Sequence, residues 1–227
     1  IIATVDGTTV TFTAPADFNG SESFTAMVTD GEYSSSQVFT VTITPVNDVP
    51  VLSAVADVSF AEDGTSSIEL SATDVDNTDL TYSISEGTDI TATLDGISVT
   101  FSTPENFNGS ESFIVTVSDG DLSASQSFAV TVNAVNDFPV ADSASSETSE
   151  DQEVVIALTA SDVDGDNLTF SLGDSPNNGV VEIDGSFATY TPGSNFNGPD
   201  SFTFTVSDGE LVDTAIVSVT VNAVNDA

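Results

Sequence analysis

The heptapeptide Phe-Asn-Gly-Ser-Glu-Ser-Phe stands at 18–24, returns unchanged at 107–113, and comes a third time at 196–202 with Pro-Asp in place of Ser-Glu. Two other stretches keep the same spacing. Val-Thr-Asp-Gly-Glu at 28–32 becomes Val-Ser-Asp-Gly-Asp at 117–121 and Val-Ser-Asp-Gly-Glu at 206–210. Pro-Val-Asn-Asp at 45–48 becomes Ala-Val-Asn-Asp at 134–137 and 223–226. Each step is 89 residues, and an upstream block at 62–77 matches 150–165 with a step of 88. Self-similarity at a fixed step marks an array. A step of this size is long enough for each copy to be a domain with its own core.

Inside a copy the apolar residues alternate. Repeat three reads Ile156-Leu158-Ala160, Leu168-Phe170-Leu172, Phe202-Phe204-Val206 and Val217-Val219-Val221, every second residue. Repeat two gives Ile68-Leu70-Ala72, Leu80-Tyr82-Ile84, Phe113-Val115-Val117 and Phe128-Val130-Val132 in the same way. Period two with Ser and Thr between predicts half-buried antiparallel strands, and no window offers a helical stripe. About seven short strands per copy predict an all-β chain of tandem immunoglobulin-like Greek-key β-sandwiches, arranged head to tail. The boundaries fall at the Val-Asn-Asp stretches, giving domains at 1–48, 49–137 and 138–227. Ile1–Gly7 aligns with Ile90–Gly96, so the first domain holds only the C-terminal strands of a repeat. Half a sandwich leaves an apolar face open, which reads as a piece of a longer protein. Linkers this short do not behave as loose tethers.

Charge narrows the function. The 227 residues carry 37 Asp and Glu and no Lys, Arg or His, a net charge of −37. Such a surface repels phosphate backbones and anionic headgroups, so nucleic acid and direct membrane insertion are excluded as partners. Without His, Lys, Arg or Cys there is no Ser-His-Asp or Cys-His relay and no Schiff-base lysine. Zinc sites of His and Cys fall with them. A paired-carboxylate glycosidase remains formally possible, and we read the chain as a non-enzyme. No apolar run is long enough to span a bilayer and no charged-then-apolar leader opens the chain, so any export signal is expected outside these residues.

The acids recur at fixed places. Asp74/Asp76 and Asp162/Asp164 follow strand B; Asn47-Asp48 and Asn136-Asp137 lie in the linkers. Asp119 and Asp208 close strand F, Glu22, Glu111 and Asp200 open it, and Glu62-Asp63 and Glu150-Asp151 open strand B. In a sandwich with termini at opposite ends, the B–C corner, the F–G turn and the incoming linker meet at one end. The A–B corner, the E–F corner and the outgoing linker meet at the other. Stacked repeats bring one group of each kind together, and converging carboxylates and amides suit calcium, which takes six to eight oxygens at about 2.3–2.6 Å. Several acids have plainer readings. Asp-Gly at 119–120 and 208–209 is also a hairpin turn, Asp166 reads as turn, and Asp17, Glu86 and Asp174 read as solvated surface. A turn needs one Asp, however, and not two on alternate residues.

These residues resemble cadherin junctions, and more closely the bacterial cadherin-like tandem repeats of large RTX-type surface adhesins. Glu62-Asp63 is similar to the acidic element near the first cadherin strand, and Asn108-Gly-Ser-Glu111 to the Asp-Arg-Glu before strand F. Asn136-Asp137 is similar to the acidic linker, Asp162-Val-Asp164 to the Asp-x-Asp, and Asp208 to the Asp after strand F. The arginine of the second element is missing and the linker has one acid where cadherins have several. The resemblance therefore implies one or two calcium ions per junction in place of three.

For the junction of repeats two and three it implies the ligands Glu62, Asp63, Glu111, Asn136 and Asp137 from one side, with Asp162, Asp164 and Asp208 from the other. For the first junction it implies Glu22, Asn47, Asp48, Asp74, Asp76 and Asp119. The shorter first set is expected to bind more weakly. The function implied is a calcium-stiffened spacer on the bacterial surface or outside the cell, whose partners are calcium and neighbouring repeats. A distal module would carry any cell-surface or carbohydrate ligand. The alternative is a module that itself binds carbohydrate or another repeat protein. Against it, the chain has no Trp and its three Tyr are scattered.

Overall fold

A computed structural model describes residues 1–225, so Asp226 of the last Val-Asn-Asp stretch lies outside the described residues. Every regular element among them is a strand, and none is a helix long and apolar enough to cross a membrane. The chain divides into two compact units, the first ending at Ala134 and the second beginning at Val135.

The first unit opens with two hairpins, β1 (Ile2–Asp6) with β2 (Thr9–Thr13) and β3 (Gly20–Thr29) with β4 (Ser34–Ile43). It continues with β5 (Val51–Leu52), β6 (Val58–Ala61), β7 (Ser66–Glu69), β8 (Ala72–Thr73) and β9 (Thr81–Ile84). Then come β10 (Thr91–Asp95), β11 (Ser98–Ser102), β12 (Gly109–Ser118) and β13 (Ser123–Asn133). The larger sheet of repeat two has the order β6-β13-β12-β9, the smaller β10-β11-β7, and β5 pairs with β8.

The second unit repeats that plan. Its strands are β14 (Val140–Ala141), β15 (Ala144–Ser149), β16 (Val154–Ala157), β17 (Ala160–Ser161), β18 (Thr169–Leu172), β19 (Gly179–Asp184), β20 (Phe187–Pro192), β21 (Gly198–Ser207) and β22 (Val212–Asn222). Sheet orders are β15-β22-β21-β18, β16-β20-β19 and β14-β17. In both units the early strand of the larger sheet runs parallel to the last one. β6 pairs with β13 over 58–61 and β15 with β22 over 144–149.

The alternation read from sequence is what fills the cores. Phe101, Phe113, Val115, Val117 and Val130 are fully buried in repeat two, as are Tyr190, Phe204, Val206 and Val217 in repeat three. Phe101, Phe113 and Phe128 form a tilted triad with ring centroids 5.5, 6.0 and 6.3 Å apart. Repeat one builds the same triad from Phe12, Phe24 and Phe39 at 5.2, 5.9 and 6.1 Å. Its two hairpins leave that side open: Val28 is 70% exposed, where its counterpart Val117 is 0% exposed. Hairpin turns follow from Asp-Gly. Asp95 pairs with Ser98 across a two-residue loop whose first residue, Gly96, has φ +61°, which fits a type II′ turn with glycine in first position.

Candidate metal centre

In the first unit the linker is fastened to the repeat that follows it. The Asn47 amide donates to Asp119 Oδ2 at 2.7 Å and accepts from the Asn77 amide at 3.1 Å. The Asp48 N–H donates to Asp76 Oδ2 at 2.8 Å. Each acceptor is itself oriented by its own turn. Asp119 Oδ1 receives the N–H groups of Asp121 and Leu122 at 2.8 and 2.7 Å, and Asp74 Oδ1 receives those of Asp76 and Asn77, both at 2.8 Å. Those backbone donors, helped by the Asn47 amide, hold the Asp119 carboxyl below the ordinary carboxylate range.

The remaining oxygens are less well served. Asp74 Oδ2 is buried without a hydrogen-bond partner. Asp48 is pushed upward by burial and then by the charges of Asp17, Asp76 and Asp74. A cavity of about 210 Å³ opens here, walled by Asp17, Asp48 and Asp76 together with Phe18, Asn19 and Pro45. Asp17 had read as solvated surface. Its left-handed backbone, φ +60°, sets it just ahead of Phe-Asn-Gly, where repeats two and three carry Asn106 and Asn195 with φ of 57° and 55°. The departure from Asn to Asp in one copy of three was the available signal.

The second unit fastens its own linker residues in the same way. The Asn136 amide donates to Asp208 Oδ2 at 2.8 Å, and the Asp137 N–H to Asp164 Oδ2 at 2.8 Å. Asp208 Oδ1 receives Glu210 and Leu211 N–H at 2.6 and 2.7 Å, which lowers its carboxyl. Asp162 Oδ1 receives the Asp164 N–H at 2.9 Å, while Asp162 Oδ2 is buried and unpartnered. Asp166, read as turn, stands with them: one oxygen each of Asp162, Asp164 and Asp166 lies within 4.8 Å of the others. Gly165 at φ +79° folds the loop back to allow this. In repeat two the same two positions are Asn77 and Thr78, so the third carboxylate is missing there.

Three further acids grouped from sequence separate into two environments. Glu62 is buried, with its Oε2 3.4 Å from the Asn108 amide, and Asp63 Oδ1 accepts the Asn106 N–H at 3.0 Å. Glu111 instead occupies the core-facing row of β12. Its two oxygens take the N–H groups of Thr88 and Asp89 at 2.9 and 2.8 Å. Burial alone would raise its carboxyl, but these donors prevail and lower it. Glu22 stands at the equivalent position of β3, 89 residues earlier. In repeat three Asp200 does this work with four donors. Asn177 and Ser201 N–H reach Oδ1 at 3.1 and 2.9 Å; Asn178 N–H and the Tyr190 hydroxyl reach Oδ2, both at 2.9 Å.

The matched family model is that of the bacterial Ig domain, over residues 47–133 and again over 136–220. No curated protein matches the chain. Among solved structures, the chain resembles mouse protocadherin-24 EC1-3 at 17% identity and TM-score 0.53, covering 98% of this chain and 86% of that one. Human protocadherin-24 EC1-2 gives 19% identity and TM-score 0.52, over 78% and 99% of the two chains. An endo-fucoidan hydrolase of glycoside hydrolase family 107 aligns at 19% identity and TM-score 0.35 over 98% of this chain; the chain spans only 37% of that hydrolase's length.

Proposed function

This chain belongs to the bacterial Ig domain family, and we propose that it is a calcium-rigidified spacer segment of a large exported bacterial surface protein, an adhesin of the RTX type. One arrangement carries the reading. At the start of repeat two Asp17, Asp48 and Asp76 wall one cavity, Asp74 holds a buried orphan oxygen beside them, and the chain has no cationic side chain to balance them. Donors that are all oxygen, most of them anionic, suit a hard cation and not zinc or copper. Asp17, Asp48, Asp74, Asp76 and Asp119 would hold calcium there. In the second unit Asp137, Asp162, Asp164, Asp166 and Asp208 would do so. Glu62 and Asp63 are retained as ligands of the acidic element before strand B. Glu111 instead holds the loop before the next strand, and Glu22 stands at the equivalent position of repeat one.

Bound calcium supplies positive charge where neighbouring carboxylates otherwise repel, so ordering each boundary stiffens the string. A location outside the cell, where calcium is millimolar, suits weak exposed sites. We propose no catalytic role, since each recurring acid has a ligand or loop-holding one. The test is thermal unfolding in calcium, magnesium or chelator. A ligand binding only the folded form at 100 times its dissociation constant adds about 2.7 kcal/mol per site. Identical melting in calcium and chelator would refute the calcium reading.

A further inference from the structure

The outward side of the larger sheet differs from the rest of this chain. In repeat two that side has fifteen positions on β6, β9, β12 and β13; eleven are Ser or Thr and none is charged. Repeat three has sixteen on β15, β18, β21 and β22, eleven of them Ser or Thr, with Glu147 the one charge. On β3 and β4 of repeat one, eight of ten are Ser or Thr and none is charged. The outward rows of the smaller sheets carry acids. Glu69 and Asp95 point outward in repeat two, and Glu182 and Asp184 in repeat three. A chain with 37 Asp and Glu has kept all but Glu147 off these strand faces in three copies.

Hydroxyls pair across strands on these faces, Ser21 with Thr42 at 2.8 Å, Ser110 with Thr131 at 3.0 Å, and Thr116 with Ser125 at 2.8 Å. Among them stand exposed apolar side chains in each copy: Met27 at 71% and Val38 at 66%, Ile114 at 50%, and Val212 at 55% with Ile216 at 46% exposure. Depletion of charged residues is one feature of an interface core.

We propose that these faces are docking surfaces for a second copy of this chain. Elsewhere two copies meet as like charges with nothing to neutralise them, so the uncharged face is where repulsion is least. A hydroxyl is both donor and acceptor, so a face made of hydroxyls is complementary to itself, as a two-fold contact requires. The contact uses no metal ligand and is independent of the calcium reading.

Sedimentation of the whole chain across micromolar to millimolar concentration tests this, in chelator and in calcium. Self-association should strengthen with salt, because screening shrinks from about 10 Å at 0.1 M to about 3 Å at 1 M and removes only the repulsion. Ile114→Asp with Ile216→Asp should weaken it roughly tenfold or more. Should the aspartates disturb folding, Ile114→Ser with Ile216→Ser reads the same contact. A chain that stays monomeric in about 1 M salt overturns the proposal, as do serine variants that associate like the parent. Retardation on a neutral polysaccharide matrix without concentration-dependent dimers also overturns it, and makes a neutral glycan the occupant.

Discussion

Replacing Asp200 with Asn keeps its shape and removes its charge. Asp200 is 8% exposed and collects four donors, two on each oxygen. The amide retains one acceptor oxygen, enough for Asn177 and Ser201. Its NH₂ then faces the Asn178 N–H and the Tyr190 hydroxyl. The hydroxyl can turn and accept, but the Asn178 N–H cannot. One stranded buried donor, with charge assistance lost from the others, costs about 2–4 kcal/mol. In a domain of this size that lowers the melting of the second unit by roughly 10–25 °C, which calorimetry resolves from the first unit's transition.

The acid limb gives a second readout. Burial raises the Asp200 carboxyl and the four donors more than offset it, so its folded pKa lies below the unfolded one. The stability it contributes is full above about pH 4, the unfolded value, and falls away as pH drops through the folded value. Asp200→Asn should flatten that limb. Tyr190 is raised by burial and then by Asp200, so its share is present below about pH 10 and is lost above it. Repeat two solves the same problem with a longer acid and no hydroxyl, Glu111 over Phe101. The pair Asp200→Glu with Tyr190→Phe should therefore recover stability that either change alone loses. Melting of Asp200→Asn within two degrees of the parent, or a double variant worse than both singles, would refute the reasoning.

Two other outcomes are expected. A calcium titration should show two classes of site, one removed by Asp162→Ala with Asp164→Ala and the other by Asp74→Ala with Asp76→Ala; Asp17→Asn should weaken only the latter, and loss of the same class in both double variants would sink the assignment. Asn47 and Asn136 fasten their linkers without any ion, so the Asp48 and Asp137 N–H groups should stay protected from exchange in chelator, and rapid exchange there would contradict the fastening.

The strands were legible because burial on one side of a pleat imposes period two, and Phe101, Phe113 and Phe128 had nowhere else to go. The linker pairs were legible because a recurring Asn-Asp has few purposes. The sites were read less completely, for reasons of direction. Glu111 and Glu62 both have acidic counterparts in another copy, but sequence does not say that Glu111 faces inward under residues 88–89 while Glu62 meets Asn108. Asp166 joins Asp162 and Asp164 only through the conformation of Gly165, which spacing does not encode. Asp17 was passed over because a loop acid without a counterpart in other copies looks like surface.

The parallel pairing of the early and late strands has a mechanical consequence. When a repeat is pulled from its two ends, β15 and β22 are drawn in opposite directions along their shared length. The load then falls across the whole run of bonds at once, where an antiparallel pair pulled from one end would open one rung at a time. The run covers six residues on β15 and four on β6, so repeat three should hold to a higher force than repeat two and yield second. Loaded in series, the two repeats should therefore give way in separate steps, the weaker first, and each step adds length.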